Sequence, residues 1–258
     1  MYLRGRILCR ADVGVEVNRG CFITGTDTGV GKTVVSAAVL LQRIEREQRV
    51  MYMKPVQTGC RQAGGERIAP DPDYGLRLAG ITPAPEDRAD ICPYRLLMPA
   101  SPHLAAARED VTISIDRILE SYERLQRRHA FLVVEGAGGV LVPLNDSDTM
   151  LELMRRLALP VIIACRAGLG TLNHTLLTVR VLRDAGLDLA GLVLVQTTPE
   201  PWGDIEEDNR STLERMAAVP VTSRIAYHPA LAAGTADPRI LRSCVQGTVL
   251  PDSIFPVK

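Results

Sequence analysis

Lysine is scarce in this chain. Of the 30 basic residues among 258, 27 are arginine, and the three lysines are Lys32, Lys54 and Lys258. Where arginine is the default cation, an internal lysine marks a place suited to a compact ammonium rather than a planar guanidinium. Net charge is also missing, since 30 acidic residues offset the 30 basic ones. A general nucleic-acid binder needs a basic surface to displace counterions, so no nucleic-acid partner is expected. No apolar run reaches the ~18 residues of a membrane span, so no membrane partner is expected either. Cys9, Cys21, Cys60, Cys92, Cys165 and Cys244 form no CxxC pair and stand at no metal-ligand spacing with histidine. This argues against a disulfide framework or a zinc site, and reduced thiols fit a cytoplasmic protein.

What is present is a rhythm of short apolar runs and amphipathic stretches. The strand candidates are Cys21–Thr24, Val50–Met53, Phe131–Val134, Val161–Cys165, Leu192–Val195 and Val221–Ile225. They are mostly continuous rather than alternating, as parallel strands covered on both faces are. Helices are expected over Lys32–Gln48, Tyr74–Leu78, Ile113–Arg128, Thr149–Leu157, Leu172–Ala185 and Glu206–Ala217. Alternation of this kind predicts an α/β protein, a three-layer doubly wound mostly parallel sheet. Ligands of such sheets bind beyond the carboxyl ends of the strands. Pro and Gly concentrate in 59–72 and 82–102, which read as irregular segments over that edge. Residues 1–19 read as an N-terminal appendage, 20–258 as a single domain, and the stretch after about Ala232 as weakly periodic.

Three segments carry chemistry. Gly25-Thr-Asp-Thr-Gly-Val-Gly-Lys-Thr33 lies between the first strand and an apolar helix, the strand–loop–helix context of a P-loop. Backbone N–H groups from Thr28 through Gly29, Val30, Gly31 and Lys32 to Thr33, at the positive end of the helix that runs on through Val34, can cradle a phosphate. Lys32 would neutralise its outer oxygens and Thr33 would offer a hydroxyl to Mg²⁺. Asp27 stands where partition and nitrogenase-iron-protein ATPases carry a signature lysine, which argues against those enzymes. Second, Lys54 ends a strand and Pro55 breaks it, so its ammonium is placed at the same edge. Third, Phe131-Leu-Val-Val-Glu135 runs into Gly136-Ala137-Gly138-Gly139, a buried strand ending in a carboxylate suited to the metal side of a P-loop site. A second acid could come from Asp71 or Asp73. Asp73 would equally suit the start of the following helix.

These segments, together with Ser101-Pro-His-Leu-Ala-Ala and Leu169-Gly-Thr-Leu-Asn-His174, stand in the order and approximate spacing of dethiobiotin synthetases. The resemblance covers about Arg19 to Tyr227. It implies a P-loop ligase that uses ATP and Mg²⁺ to close the ureido ring of dethiobiotin from 7,8-diaminopelargonic acid and CO₂. The ring would form through a carbamate and a carbamic–phosphoric anhydride. By the same resemblance Lys32 and Lys54 are the catalytic cations, and Thr33, Asp73 and Glu135 are the Mg²⁺ set. Thr58 approaches the substrate, and Gly170, Thr171, Leu172 and Asn173 reach the site of a partner in a homodimer with shared active sites. His103 and His174 lie in these motifs without an assigned proton-transfer role. Gln196, Thr197, Ala226, Tyr227 and His228 fall at the base end of the nucleotide. There the chain departs from the pattern: Val195-Gln-Thr-Thr-Pro199 replaces the usual Asn-Asp contact, which leaves other nucleoside triphosphates open. Gly29 replaces a frequent glutamate. Two other readings are an amide-forming ligase of the cobyrinic acid diamide synthase type and a non-enzymatic P-loop switch.

Overall fold

A computed structural model describes residues 20–46 and 49–251. The expected appendage 1–19, Gln48 and Lys258 lie outside the described residues. Seven strands form the main sheet: β1 (Gly20–Gly25), β2 (Val50–Met53), β3 (Phe131–Glu135), β4 (Val161–Arg166), β5 (Leu189–Val195), β6 (Val221–Ile225) and β7 (Val245–Gly247). Their spatial order is β7-β6-β5-β4-β1-β3-β2. All neighbours run parallel except β7, which pairs antiparallel with β6. The helices that flank it are α1 (Lys32–Ile44), α2 (Pro70–Ala79), α3 (Ile115–Arg128), α4 (Met150–Leu157), α5 (Thr171–Asp184), α6 (Asp204–Ala217) and α7 (Pro238–Cys244). Every residue of β1, β2 and β3 is buried, which is why these strands read as unbroken apolar runs. Phe22, Tyr52, Leu132, Val133, Ile162 and Val193 belong to one continuous core between sheet and helices. Among the described residues no helix is long and apolar enough to cross a membrane.

Four local differences separate the structure from the sequence expectation. The helix expected over Tyr74–Leu78 begins at Pro70, because Pro70 and Pro72 sit in its first turn, where a missing N–H removes no intrahelical bond. The helix starting at Lys32 ends at Ile44 rather than near Gln48. Part of the segment expected to be irregular forms a hairpin, Arg61–Ala63 against Glu66–Ile68. Gly64 and Gly65 both take positive φ at its tip, the signature of a two-residue type I′ turn. Finally, the weakly periodic end supplies α7 and the edge strand β7.

This topology positions the site. Chain order reverses around β1, which has β3 on one side and β4 on the other. The carboxyl ends of β1, β2, β3, β5 and β6 therefore open on one edge, at the switch point where ligands of such sheets are bound.

Candidate active site

The loop after β1 is shaped by two glycines in the left-handed region, Gly29 (φ 72°) and Gly31 (φ 95°). Gly31 has a second constraint: a Cβ there would lie 2.9 Å from Cγ1 of Val195 at the end of β5. No side chain among the described residues caps α1, so its first-turn N–H groups are available at the positive end of the helix. Lys32 is buried, and its Nζ donates to the Asp27 carbonyl oxygen at 2.7 Å. Burial pushes its pKa down to about 8, against the pull of Glu135 and with the push of Lys54. The exposed Arg166 reaches the outside of the loop, 3.6 Å from Asp27.

Glu135, 1% exposed at the end of β3, is the centre of the site. Its Oε1 accepts from Thr33 Oγ1 at 3.0 Å and from Lys54 Nζ at 2.8 Å. Its Oε2 accepts from Tyr52 OH at 2.7 Å and lies 3.0 Å from Ser36 Oγ. Lys54 Nζ also donates to Asp71 in the first turn of α2. Desolvation works against charge on Lys54, but Glu135 and Asp71 outweigh it and its pKa is raised. Burial, then Glu135, raises that of Tyr52, so the phenol stays protonated. Two ammonium groups and two carboxylates thus share a small volume with no net charge, the condition under which buried ions are tolerated.

These groups line a cleft of about 900 Å³. Of the residues expected at the site, Thr28, Gly29, Gly31, Lys32, Thr33, Val34, Lys54, Thr58, Glu135, Ala137 and Gly138 line it. At its other end so do Gln196, Thr197, Ala226, Tyr227 and His228. Val30 and Gly136 sit behind this lining, with the Val30 side chain fully buried. Asp73 is exposed on α2 and does not line the cleft; Asp71, two residues earlier, does. The helix starting at Pro70 turns Asp71 toward Lys54 and Asp73 toward solvent. Gly170 to Asn173 open α5 away from this cleft, and Asn173 is exposed, as are His103 and His174. Sequence reading missed Tyr52 and Ser36. A hydroxyl inside an apolar strand or helix was the available signal, and without the fold it had no partner to point to. It also missed Tyr74 and Leu231 as cleft walls.

Among the described residues no group of three or more His, Cys, Asp or Glu could hold a metal by itself. The donors that do converge, Thr33 Oγ1 and the carboxylates of Glu135 and Asp71, are all oxygen. They suit Mg²⁺, which takes one or two carboxylates and completes its shell with water and phosphate oxygens. At the end of the cleft away from Lys54, Gln196 Nε2 donates to the Glu200 carbonyl oxygen at 3.0 Å, leaving its Oε1 free to accept. His228 Nδ1 accepts from the Ala230 N–H at 3.1 Å, which leaves Nε2 as the protonated nitrogen of the neutral ring.

Residues 19–235 match the model of the family described as AAA domain. The ATP-dependent dethiobiotin synthetase BioD of Anoxybacillus flavithermus is 41% identical over 210 residues, covering 81% of this chain and 92% of the relative. That of Anaeromyxobacter dehalogenans is 44% identical over 182 residues, 70% of this chain and 78% of the relative. Among solved structures, the MinD cell division protein of Aquifex aeolicus superposes with a TM-score of 0.54 at 13% identity, over 86% of this chain and 89% of MinD. At that identity the likeness is one of fold.

Proposed function

The chain belongs to the ATP-dependent dethiobiotin synthetase family, and on that premise we propose that it closes the ureido ring of dethiobiotin in biotin biosynthesis. One amine of 7,8-diaminopelargonic acid adds to the carbon of CO₂ and loses a proton, giving a carbamate. A carbamate oxygen attacks the γ-phosphorus of ATP, and ADP leaves. The second amine attacks the carbon of the resulting carbamic–phosphoric anhydride, expels inorganic phosphate and loses a proton, which closes the ring.

The chain's own groups meet each need. The N–H groups of Thr28 to Thr33 and the Lys32 ammonium hold the β- and γ-phosphates. Lys54 lines the same cleft, where it can balance charge on carbamate and transferring group together. Thr33, Glu135 and Asp71 would hold Mg²⁺, which when bound neutralises phosphate oxygens. Asp71 takes this role rather than the expected Asp73, since only Asp71 faces the cleft. Thr58, also in the cleft lining, approaches the substrate. Gln196, Thr197, Ala226, Tyr227 and His228 surround the base. Gly170 to Asn173, of which Gly170 and Asn173 are exposed, serve the substrate's distal carboxylate in a second copy of the chain, and the working unit is a cytoplasmic homodimer.

The observation that carries this reading is the convergence of Lys54, Glu135 and Asp71 on the P-loop within one cleft. A phosphate-responsive switch would need no lysine at that strand end. The test is direct. Purified protein is given 7,8-diaminopelargonic acid, bicarbonate and Mg²⁺ with ATP, CTP or GTP in turn, and dethiobiotin is detected by mass. Product is expected with ATP. Bound nucleotide without product under all three conditions would sink the reading.

A further inference from the structure

The two oxygens of Glu135 live in different surroundings. Oε1 is on the cleft side, where Thr33 and Lys54 reach it, and both of those residues line the cleft. Oε2 is on the core side, where Tyr52 and Ser36 reach it; both are fully buried and neither lines the cleft. The pairing follows from element geometry. Tyr52 and Lys54 are two apart along β2 and the residue beyond its end, so they project from the same face and each takes one oxygen. Thr33 and Ser36 are three apart on α1, again on one face, and again each takes one oxygen. The Ser36 hydroxyl also lies 2.9 Å from the Lys32 carbonyl oxygen. A single proton serves one acceptor, and the charged carboxylate is the stronger. Tyr52 has no such division: its proton has Glu135 as its partner at 2.7 Å. The Tyr52 ring also fills the space beside α2, where a Cβ at Gly75 would stand 3.5 Å from Cε2 of the ring and 3.3 Å from Cγ2 of Thr33. The same phenol therefore touches the carboxylate at one end and the helix carrying Asp71 along its side.

We infer that Tyr52, supported by Ser36, is a positioning residue that fixes Oε2 of Glu135 in the core, so that only Oε1 is presented to the cation and phosphates in the cleft. Without the phenol proton, the carboxylate can rotate about its last torsion, and the distance between the two acids of the site is no longer set. The inference rests on the proposed Mg²⁺-nucleotide site but not on the identity of the substrate.

The test uses the full chain and variants Tyr52→Phe, Ser36→Ala and the double variant. Tyr52→Phe keeps the ring against Gly75 and deletes only the hydroxyl, and a thermal melt reports whether each variant is folded. Two quantities are read: affinity for a fluorescent ATP analogue with excess EDTA, and the affinity of the protein–nucleotide complex for Mn²⁺ by electron paramagnetic resonance. Groups that orient a metal-binding carboxylate typically govern metal affinity about tenfold or more. Tyr52→Phe is expected to weaken Mn²⁺ binding by about that factor with analogue binding in EDTA unchanged, and the double variant to weaken it further. Unchanged Mn²⁺ affinity in folded single and double variants overturns the inference, as does an equal loss of analogue binding in EDTA. If Mn²⁺ affinity falls as expected while the wild type makes no dethiobiotin, the positioning role stands and the substrate assignment falls.

Discussion

Lys54 is held by opposite charges on two sides, Glu135 from β3 and Asp71 from α2, and these outweigh the downward push of burial on its pKa. Lys32, on the P-loop after β1, is in the reverse position: burial dominates and lowers its pKa to about 8. The two lysines therefore respond differently to experiment. Replacing Lys54 with Gln removes charge from the phosphoryl-transfer side and leaves the phosphate cradle intact. Turnover is expected to fall by about 10²-fold or more with nucleotide affinity kept within a few-fold, as for other groups that act on developing charge; unchanged turnover would remove Lys54 from the mechanism. For Lys32 the sign runs through its protonation. With a folded pKa near 8 and an ordinary value of 10.5, the unfolded chain holds more protons between those values. The cost of burying the ammonium is thus full below pH 8 and fades as pH rises toward 10.5. A phosphate needs the protonated form, so above pH 8 nucleotide binding must be accompanied by proton uptake approaching about one per site. Calorimetric titration in buffers of different ionisation enthalpy at pH 7 and pH 9 measures this, and equal uptake at both would contradict the assignment. Both lysines were legible in the sequence because arginine is used almost everywhere else. Tyr52 and Ser36 were not, because a hydroxyl reveals its role only when its acceptor is known.

At the scale of the element, the start of α2 decides which acid works. Pro70 at the first helical position and Asp71 directly after it place the Asp71 carboxylate beside Lys54. One further 200° of helical rotation takes Asp73 to solvent. Asp71→Asn is expected to weaken Mg²⁺-dependent turnover by at least about tenfold. Asp73→Asn should retain near wild-type turnover and lose only a helix-end contribution of about 0.5 kcal/mol, visible as a small shift in Tm. The opposite ranking would restore Asp73. The sequence could not separate the two because the outcome turns on where a proline-containing first turn begins, and PDPD offers two plausible starts. By contrast the central strands were legible almost to the residue: β2 spans the expected Val50–Met53 and β3 runs one residue past its expected end, because a strand covered on both faces has few polar residues to blur its limits. β7 was illegible for the complementary reason. It is three residues long, two of them exposed, and it is a strand only because β6 has an unpaired edge to offer.

Across the whole molecule, zero net charge conceals a local concentration of charge, and the proposed reaction assigns the substrate's two ends to different elements. Lys32 and Lys54, proposed to meet the phosphoryl end, line the cleft, while Gly170 to Asn173 open α5 outside it. In the proposed homodimer each cleft is completed by the partner's α5 start, as symmetry then requires of both. This arrangement predicts complementation. Lys54→Gln disables the cleft of its own chain, and Asn173→Asp places a negative charge where the carboxylate of the partner's substrate is held, at an exposed position that folding does not depend on. Each variant alone is expected to be inactive or nearly so. Unfolded together and refolded as a mixture, they form heterodimers in which one of the two sites has both an intact Lys54 and an intact Asn173. With random pairing, half the dimers carry one such site, so activity should return to roughly a quarter of the wild-type value. If each chain completed its own site, mixing would restore nothing.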